Sequence, residues 1–298
     1  MTEHLRGMLA AVHSPFHADG SLNLDRVERQ AEHLVRHGVS GSFVCGSTGE
    51  GQSLTVPERM QLAERWTAVA GKSLRVIIHV GHNCQLDARE LATHAQRVGV
   101  YGIAAVAPSY FRPATVQDLV EFIRPIAAAA ASTPFYYYHI PKFTGVDFPV
   151  ADLLPRAAGP IPNLAGAKYT HNDFVDFGNC LMLDDGRWDM VFGSEMMLLS
   201  ALVLGARAAI GTTFNYTAPF FGEVFSAWDR GDLPGARHAL HRARQFITRI
   251  HGTSVLPNSK AVMKFLGIDC GPVRPPLCPL SERELQQLRV ALEEYGVA

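Results

Sequence analysis

The stretch Leu164-Ala165-Gly166-Ala167-Lys168-Tyr169-Thr170 runs four small or apolar residues straight into a lysine, with hydroxyl groups close behind it. If this run is a strand of a buried parallel sheet, Lys168 sits at its C-terminal tip with an apolar approach. Burial there disfavours the ammonium, because taking a charge out of water favours the neutral amine. A free lysine titrates near about 10.4, and a nucleophile working at neutral pH needs a value roughly three units lower. At about 1.36 kcal/mol per pH unit the surroundings must supply roughly 4 kcal/mol. A neutral amine so placed attacks a carbonyl and forms a Schiff base. The plainer alternative is a lysine capping a strand end in solvent.

Three tyrosines precede it in Phe135-Tyr136-Tyr137-Tyr138-His139-Ile140-Pro141. Strand alternation puts Tyr136 and Tyr138 on one face and Tyr137 on the other, and leaves open which face is interior. Tyr138 lies nearest the strand tip, where a phenol could exchange protons with a substrate. The turn Gly46-Ser47-Thr48-Gly49-Glu50-Gly51 exposes several backbone N–H groups just before a helix. Such a nest suits an anion, here a carboxylate in preference to a phosphate. It is neither a Walker loop nor a dinucleotide fingerprint. His79 and His82 have HxxH spacing, but neither lies on a predicted helix with an acidic partner, so no metal site is expected. Cys45, at a strand end leading inward, reads as a buried, inert thiol.

These residues need elements to hold them. Short β-rich runs alternate with longer amphipathic ones: Met8–Val12, Ser42–Cys45, Arg75–Val80, Gly102–Ala107, Pro134–Tyr138, Leu164–Lys168, Met190–Phe192 and Ala208–Gly211. Helical spacing marks about Leu24 to His37, Leu86 to Val98 and Thr115 to Ala131, and Thr55-Val56-Pro57-Glu58 is a capping box. Near-continuous apolar strands belong to sheets covered on both faces. Eight such units predict an α/β fold, a (β/α)₈ TIM barrel over residues 1–230. Residues 231–298 are expected to form a C-terminal helical extension packed on the barrel, with helices at Leu233–Ile250, Asn258–Leu266 and after the capping box Ser281-Glu282-Arg283-Glu284. In such a barrel the chemistry gathers at the C-terminal ends of the strands. That rule selects Ser47, Thr48, Tyr138, Lys168, Gly193 with Glu195, and Gly211 with Thr212.

The whole-chain totals narrow the field. With 298 residues, 47% of them hydrophobic, and a net charge of −1, the chain has a globular composition without the basic excess that nucleic-acid binding needs. The N-terminus lacks a signal-peptide pattern, and no run approaches the roughly 20 apolar residues of a membrane span. Five scattered cysteines without a CxxC read as reduced thiols of a cytoplasmic protein.

Taken together, Gly46-Ser47-Thr48-Gly49-Glu50, Tyr138-His139-Ile140-Pro141 with Thr144-Gly145-Val146, and Lys168 with Thr170 resemble the N-acetylneuraminate lyase and dihydrodipicolinate synthase family. The order and spacing match over nearly the whole chain, and Phe214-Asn215-Tyr216 after Gly211 is most similar to the sialic acid lyase branch. The resemblance implies that Lys168 forms a covalent imine with a 2-oxo acid, with no other cofactor. It implies that Tyr138 carries protons, and that Ser47 and Thr48 hold the pyruvate carboxylate, with the Ser47 hydroxyl in the proton relay. Tyr110 matches the family tyrosine that reaches a neighbouring subunit's site, which brings an expected homotetramer. Thr170, Gly193, Glu195, Met196 and Thr212 would face substrate.

Two departures bear on specificity. Phe143 stands where the synthase branch has an arginine for a second carboxylate, which argues against lysine biosynthesis. Glu195-Met196 stands where the lyase branch has an Asp-Glu pair for the sugar's hydroxyl tail, and a thioether makes only feeble hydrogen bonds. Thr212 replaces the usual serine. The leading expectation is a class I aldolase splitting N-acetylneuraminate into N-acetylmannosamine and pyruvate. The alternatives are a Schiff-base aldolase or dehydratase for another 2-oxo-3-deoxy sugar acid and, from another class, a non-catalytic 2-oxo acid sensor. A metal-dependent sugar-phosphate aldolase ranks below all three.

Overall fold

A computed structural model describes residues 3–251 and 255–297. Its strands are β1 (Gly7–Ala11), β2 (Gly41–Val44), β3 (Arg75–His79), β4 (Gly102–Val106), β5 (Phe135–His139), β6 (Leu164–Tyr169), β7 (Asp189–Phe192) and β8 (Ala208–Gly211). All pair in parallel and in chain order, and Gly7 of β1 lies in register with Ala208 of β8, which closes the barrel. The apolar runs therefore form strands within a residue or two of their sequence-expected bounds. One correction concerns β6, which continues through Tyr169, so Lys168 is its penultimate residue.

Between and after the strands lie α1 (Asp25–Arg36), α2 (Val56–Ala70), α3 (Gln85–Arg97), α4 (Val116–Ala128), α5 (Pro141–Thr144), α6 (Val150–Ala158), α7 (Phe174–Met182), α8 (Leu198–Leu204), α9 (Phe214–Asp229), α10 (Leu233–His251), α11 (Val255–Phe265) and α12 (Glu282–Glu294). The capping boxes at Thr55 and Ser281 are both formed, each hydroxyl accepting from the backbone N–H three residues on. The helix expected to run to Ala131 stops at Ala128, where the chain turns. The one expected from Asn258 is already helical at Val255, with Pro257 in its first turn, where a missing N–H costs nothing.

Alternation sorts the strand residues into two layers. Leu9, Phe43, Ile77, Ala104, Tyr136, Tyr138, Val191 and Ile210 meet inside the barrel. Their chain neighbours Ala10, Val44, Ile78, Ile103, Tyr137, Ala167, Met190 and Ala209 pack outward against the helices. This settles the tyrosine question: Tyr136 and Tyr138 are interior and Tyr137 faces the helical shell. Tyr136 has a structural task, donating its hydroxyl to Asp189 Oδ2 at 2.8 Å near the N-terminal end of the barrel, where the Leu5 N–H also donates at 3.1 Å. Gly166 is required by packing, since a Cβ there would lie 2.1 Å from the Asp189 carbonyl oxygen.

The extension closes against the last barrel helix. Ala236, Ala239, Leu240, Ala243, Phe246, Ile247 and Ile250 form one apolar stripe of α10 at helical spacing. That helix packs on α9, and α11 and α12 pack on it in turn. No helix among the described residues is long and apolar enough to cross a membrane.

Candidate active site

Lys168 and Tyr138 are register partners on adjacent strands, so both project inward near the C-terminal mouth. Lys168 is only 4% exposed. Its Nζ lies 3.8 Å from the centre of the Phe43 ring and 4.1 Å from that of Tyr138. Among the described residues no hydrogen bond or ion pair reaches this amine. Burial is the dominant influence and lowers its pKa to about 7, while the Glu195 carboxylate pulls weakly the other way. The ring faces give the ammonium some stabilisation. They do not replace water, so the neutral amine is substantially populated at neutral pH.

Tyr138 stands edge-on to Phe43, with centroids 5.3 Å apart, and to His79, at 5.7 Å. Burial raises its pKa, the Ser47 and Thr170 hydroxyls beside the phenol pull it down, and Glu195 raises it again. At rest it is a phenol with two hydroxyls ready to stabilise its anion. Gly193 is small because Thr170 fills the space: a Cβ on Gly193 would fall 1.9 Å from Thr170 Oγ1. The sequence singled out Gly193 beside Glu195 and Thr170 beside Lys168, and the fold brings Gly193 and Thr170 into contact.

The glycine-rich turn rises beside them. Cys45 and Glu50 both take left-handed backbone conformations, at φ 58° and 51°. Such conformations are sparsely populated for residues with a side chain and persist only where surrounding packing enforces them. The Glu50 N–H donates to the Ser47 carbonyl at 3.1 Å, the Gly51 N–H donates to the Gly46 carbonyl at 3.1 Å, and the Ser14 hydroxyl donates to the Gly49 carbonyl at 2.6 Å. The backbone N–H groups of Ser47 and Thr48 hold no hydrogen bond among the described residues, which leaves them for an anion. Ser47 is exposed at the mouth, and the buried Thr48 hydroxyl shares a 2.7 Å hydrogen bond with that of Thr212.

On the opposite wall Glu195 begins a short 3₁₀ turn, Glu195–Met197. Its Oε1 accepts the Thr213 N–H at 2.9 Å, and its carboxylate lies over Gly211, where a Cβ would come 2.8 Å from Cδ. Met196 behaves differently. Its side chain packs against the apolar layer between barrel and helices, and its carbonyl accepts Arg244 Nε–H of α10 at 2.5 Å. Tyr110 is 81% exposed, meets the exposed Phe111 edge-on at 4.9 Å, and makes no hydrogen bond among the described residues.

Sequence reasoning missed two contributors, Phe43 and Arg59, and weighed His79 only as a metal ligand. Arg59, fully buried on α2, donates to the carbonyls of Gly81 at 3.0 Å and His79 at 2.5 Å, and so ties the ends of the second and third βα units together. His79 places Nδ1 3.1 Å from the Cys45 carbonyl, and burial drives its pKa well below the ordinary value. His82 pairs instead with Asp87 at 3.4 Å, and no cluster of metal-binding side chains occurs among the described residues. Burial pushes the Cys45 thiol up to about 11, as befits an inert residue.

A closed parallel barrel with a desolvated, unpaired lysine at the mouth of its sixth strand, beside a phenol and an anion nest, is equipped for carbonyl chemistry through an amine. The chain belongs to the dihydrodipicolinate synthetase family, which it matches over residues 4–295. It is 39% identical over 278 residues to the N-acetylneuraminate lyase of Mus musculus, covering 92% of this chain and 87% of that protein. Its structure is similar to that of Proteus mirabilis N-acetylneuraminate lyase, with a TM-score of 0.96 at 35% identity, over 99% of this chain and 100% of that one. A Ruminococcus gnavus sialic acid aldolase, solved as a catalytic lysine mutant, is similar at 27% identity with a TM-score of 0.92, over 97% of this chain and 94% of that one.

Proposed function

We propose that this protein is a Schiff-base lyase that cleaves N-acetylneuraminate into N-acetylmannosamine and pyruvate. The observation that carries the reading is Lys168, buried without an anionic partner between Phe43 and Tyr138 and held near a pKa of about 7. The names of its relatives agree with that chemistry.

The reaction begins with the substrate carboxylate on the Ser47 and Thr48 N–H groups, assisted by the Ser47 hydroxyl. The neutral Lys168 amine adds to the C2 ketone, and the resulting carbinolamine loses water. Tyr138, a phenol at rest, donates the proton that leaves with that water. The iminium charge and the Ser47 and Thr170 hydroxyls then stabilise its phenolate. That phenolate takes the proton of the 4-hydroxyl as the C3–C4 bond breaks. The bonding pair flows into the iminium to give an enamine, and C4 departs as the aldehyde. Protonation of the enamine at C3 and hydrolysis of the imine release pyruvate and restore the amine. Glu195 receives the hydroxyl tail: one oxygen is held by Thr213 and the other remains to accept from the sugar.

Met196 favours a second reading, an aldolase or dehydratase for another 2-oxo-3-deoxy sugar acid. Its side chain offers no hydrogen-bond partner of note and its carbonyl is already taken by Arg244. The assembly belongs to the same proposal: a cytoplasmic homotetramer in which the exposed Tyr110 completes a neighbouring subunit's site. Pyruvate release from N-acetylneuraminate, measured beside a panel of 2-oxo-3-deoxy sugar acids, tests it. The highest kcat/KM is expected with N-acetylneuraminate. Higher efficiency on a shorter acid would transfer the assignment to the second reading, and no turnover of any of them would overturn both.

A further inference from the structure

The anion nest is anchored from behind by a charge network that touches neither Lys168 nor the site opening. Glu50 closes the turn that presents Ser47 and Thr48, and its carboxylate is buried. Lys260 of α11 places Nζ 2.6 Å from Glu50 Oε1 and donates to the Pro272 carbonyl at 2.7 Å. The other carboxylate oxygen, Oε2, accepts the Arg274 N–H at 2.7 Å. The Arg274 guanidinium in turn forks onto Glu58 in the first turn of α2, at 2.5 and 2.9 Å, and reaches the carbonyls of Gly20 and Ser53. Lys260 Nζ and Arg274 Cζ each lie 4.3 Å from the centre of the Phe16 ring. One carboxylate thus joins the turn to two points of the C-terminal extension.

We propose that Glu50 and Lys260 are positioning residues that fix the Ser47–Thr48 nest at the height where it receives the substrate carboxylate beside Lys168. The proposal rests on the reading of that turn as a carboxylate cradle. Backbone geometry transmits the constraint. The left-handed Glu50 is bonded through its N–H to the Ser47 carbonyl, and Gly51 packs so closely on Cys45 that a Cβ would fall 1.9 Å from the Cys45 carbonyl oxygen. A displaced Glu50 cannot leave Ser47 where it was. The use of charge fits this role better than it fits stability. A buried ion pair contributes little over an apolar pair of the same shape, but it tolerates only one geometry.

The test compares two ketones that differ by the carboxylate. Borohydride trapping of the Lys168 imine is timed with subsaturating pyruvate and with acetone in the wild type, Glu50→Gln, Lys260→Met and the double variant, alongside thermal melts. In the wild type pyruvate is expected to be trapped far faster than acetone. In each variant pyruvate trapping is expected to fall about tenfold or more while acetone trapping stays within about twofold. The double variant, which strands no charge, should recover melting temperature but not preference for pyruvate. A preference that stays intact in the variants, or returns with stability in the double variant, would overturn the positioning role. Glu50→Gln, nearly isosteric and still able to accept from Arg274, keeps the test decisive if Lys260→Met fails to fold. If the wild type itself does not distinguish the two ketones, the cradle reading fails first and takes the proposal with it.

Discussion

Lys168 and Lys260 are each 4% exposed, each lies over an aromatic ring, and each has its pKa lowered by burial. They differ in what stands opposite. Lys260 has the Glu50 carboxylate at 2.6 Å, which pulls its pKa back up against burial, and the Pro272 carbonyl at 2.7 Å, which helps to hold the ammonium in one place. Lys168 has ring faces and a more distant Glu195, and its pKa falls to about 7. On the proposed reading, the same side chain at the same depth serves as a strut in one region and a nucleophile in the other. The difference lies in whether an anion is supplied. Burial alone therefore does not mark a catalytic lysine; burial without a partner does.

The largest effects should separate the two lysines by sign. Lys168→Met is expected to reduce turnover by about 10³-fold or more, since the covalent route is lost. It should also raise the melting temperature. A group displaced from 10.5 to about 7 in the folded state carries a cost of roughly 4 kcal/mol at neutral pH, at about 1.36 kcal/mol per pH unit. That cost is complete below about pH 7, where both states hold the proton. It fades as pH rises toward 10.5, because the unfolded chain binds more protons across that window. The gain from Lys168→Met should shrink over the same range. Lys260→Met, which strands Glu50, should lose about 3–5 kcal/mol instead. Melts in which the two replacements shift stability in the same direction would break the contrast.

Tyr138→Phe keeps the ring over Lys168 and removes only the phenol proposed to carry protons. A loss of about 10² to 10³ in kcat is expected, with the fold intact by circular dichroism. The pH profile is a gentler probe. As Lys168 must be neutral to attack, kcat/KM should rise through about pH 7 and then level. A rise centred near the ordinary lysine value would mean that the amine is not desolvated as described. The smallest change is expected from Glu195→Gln: about tenfold in kcat/KM for the sugar acid, with pyruvate trapping unaltered. Trapping that falls equally would move Glu195 from the substrate tail to the reacting centre.

Much of this architecture was legible in the chain. Parallel strands covered on both faces are continuous apolar runs, so all eight stood out, and the capping boxes at Thr55 and Ser281 announced their helices. Lys168, Tyr138 and the Gly46–Gly51 turn could be singled out because strand ends follow from strand positions. What alternation could not give was its sign. Only closure of the barrel, with Tyr136 bonded to Asp189, tells Tyr138 from Tyr137. Phe43, His79 and Arg59 look like ordinary strand and helix residues until three βα units are brought together. The Glu50–Lys260 pair was illegible for the same reason: its halves come from opposite ends of the chain. Met196 looked like a substrate contact by position, while in the fold its side chain turns to the core.

The central claim is that one amine, and not the others, is free to meet a ketone. The chain offers Lys72, Lys142, Lys168, Lys260 and Lys264. Pyruvate and borohydride at pH 7, followed by peptide mass mapping, should place a single reduced adduct on Lys168 and leave the buried Lys260 unmodified. An adduct on any other lysine with Lys168 untouched would contradict it.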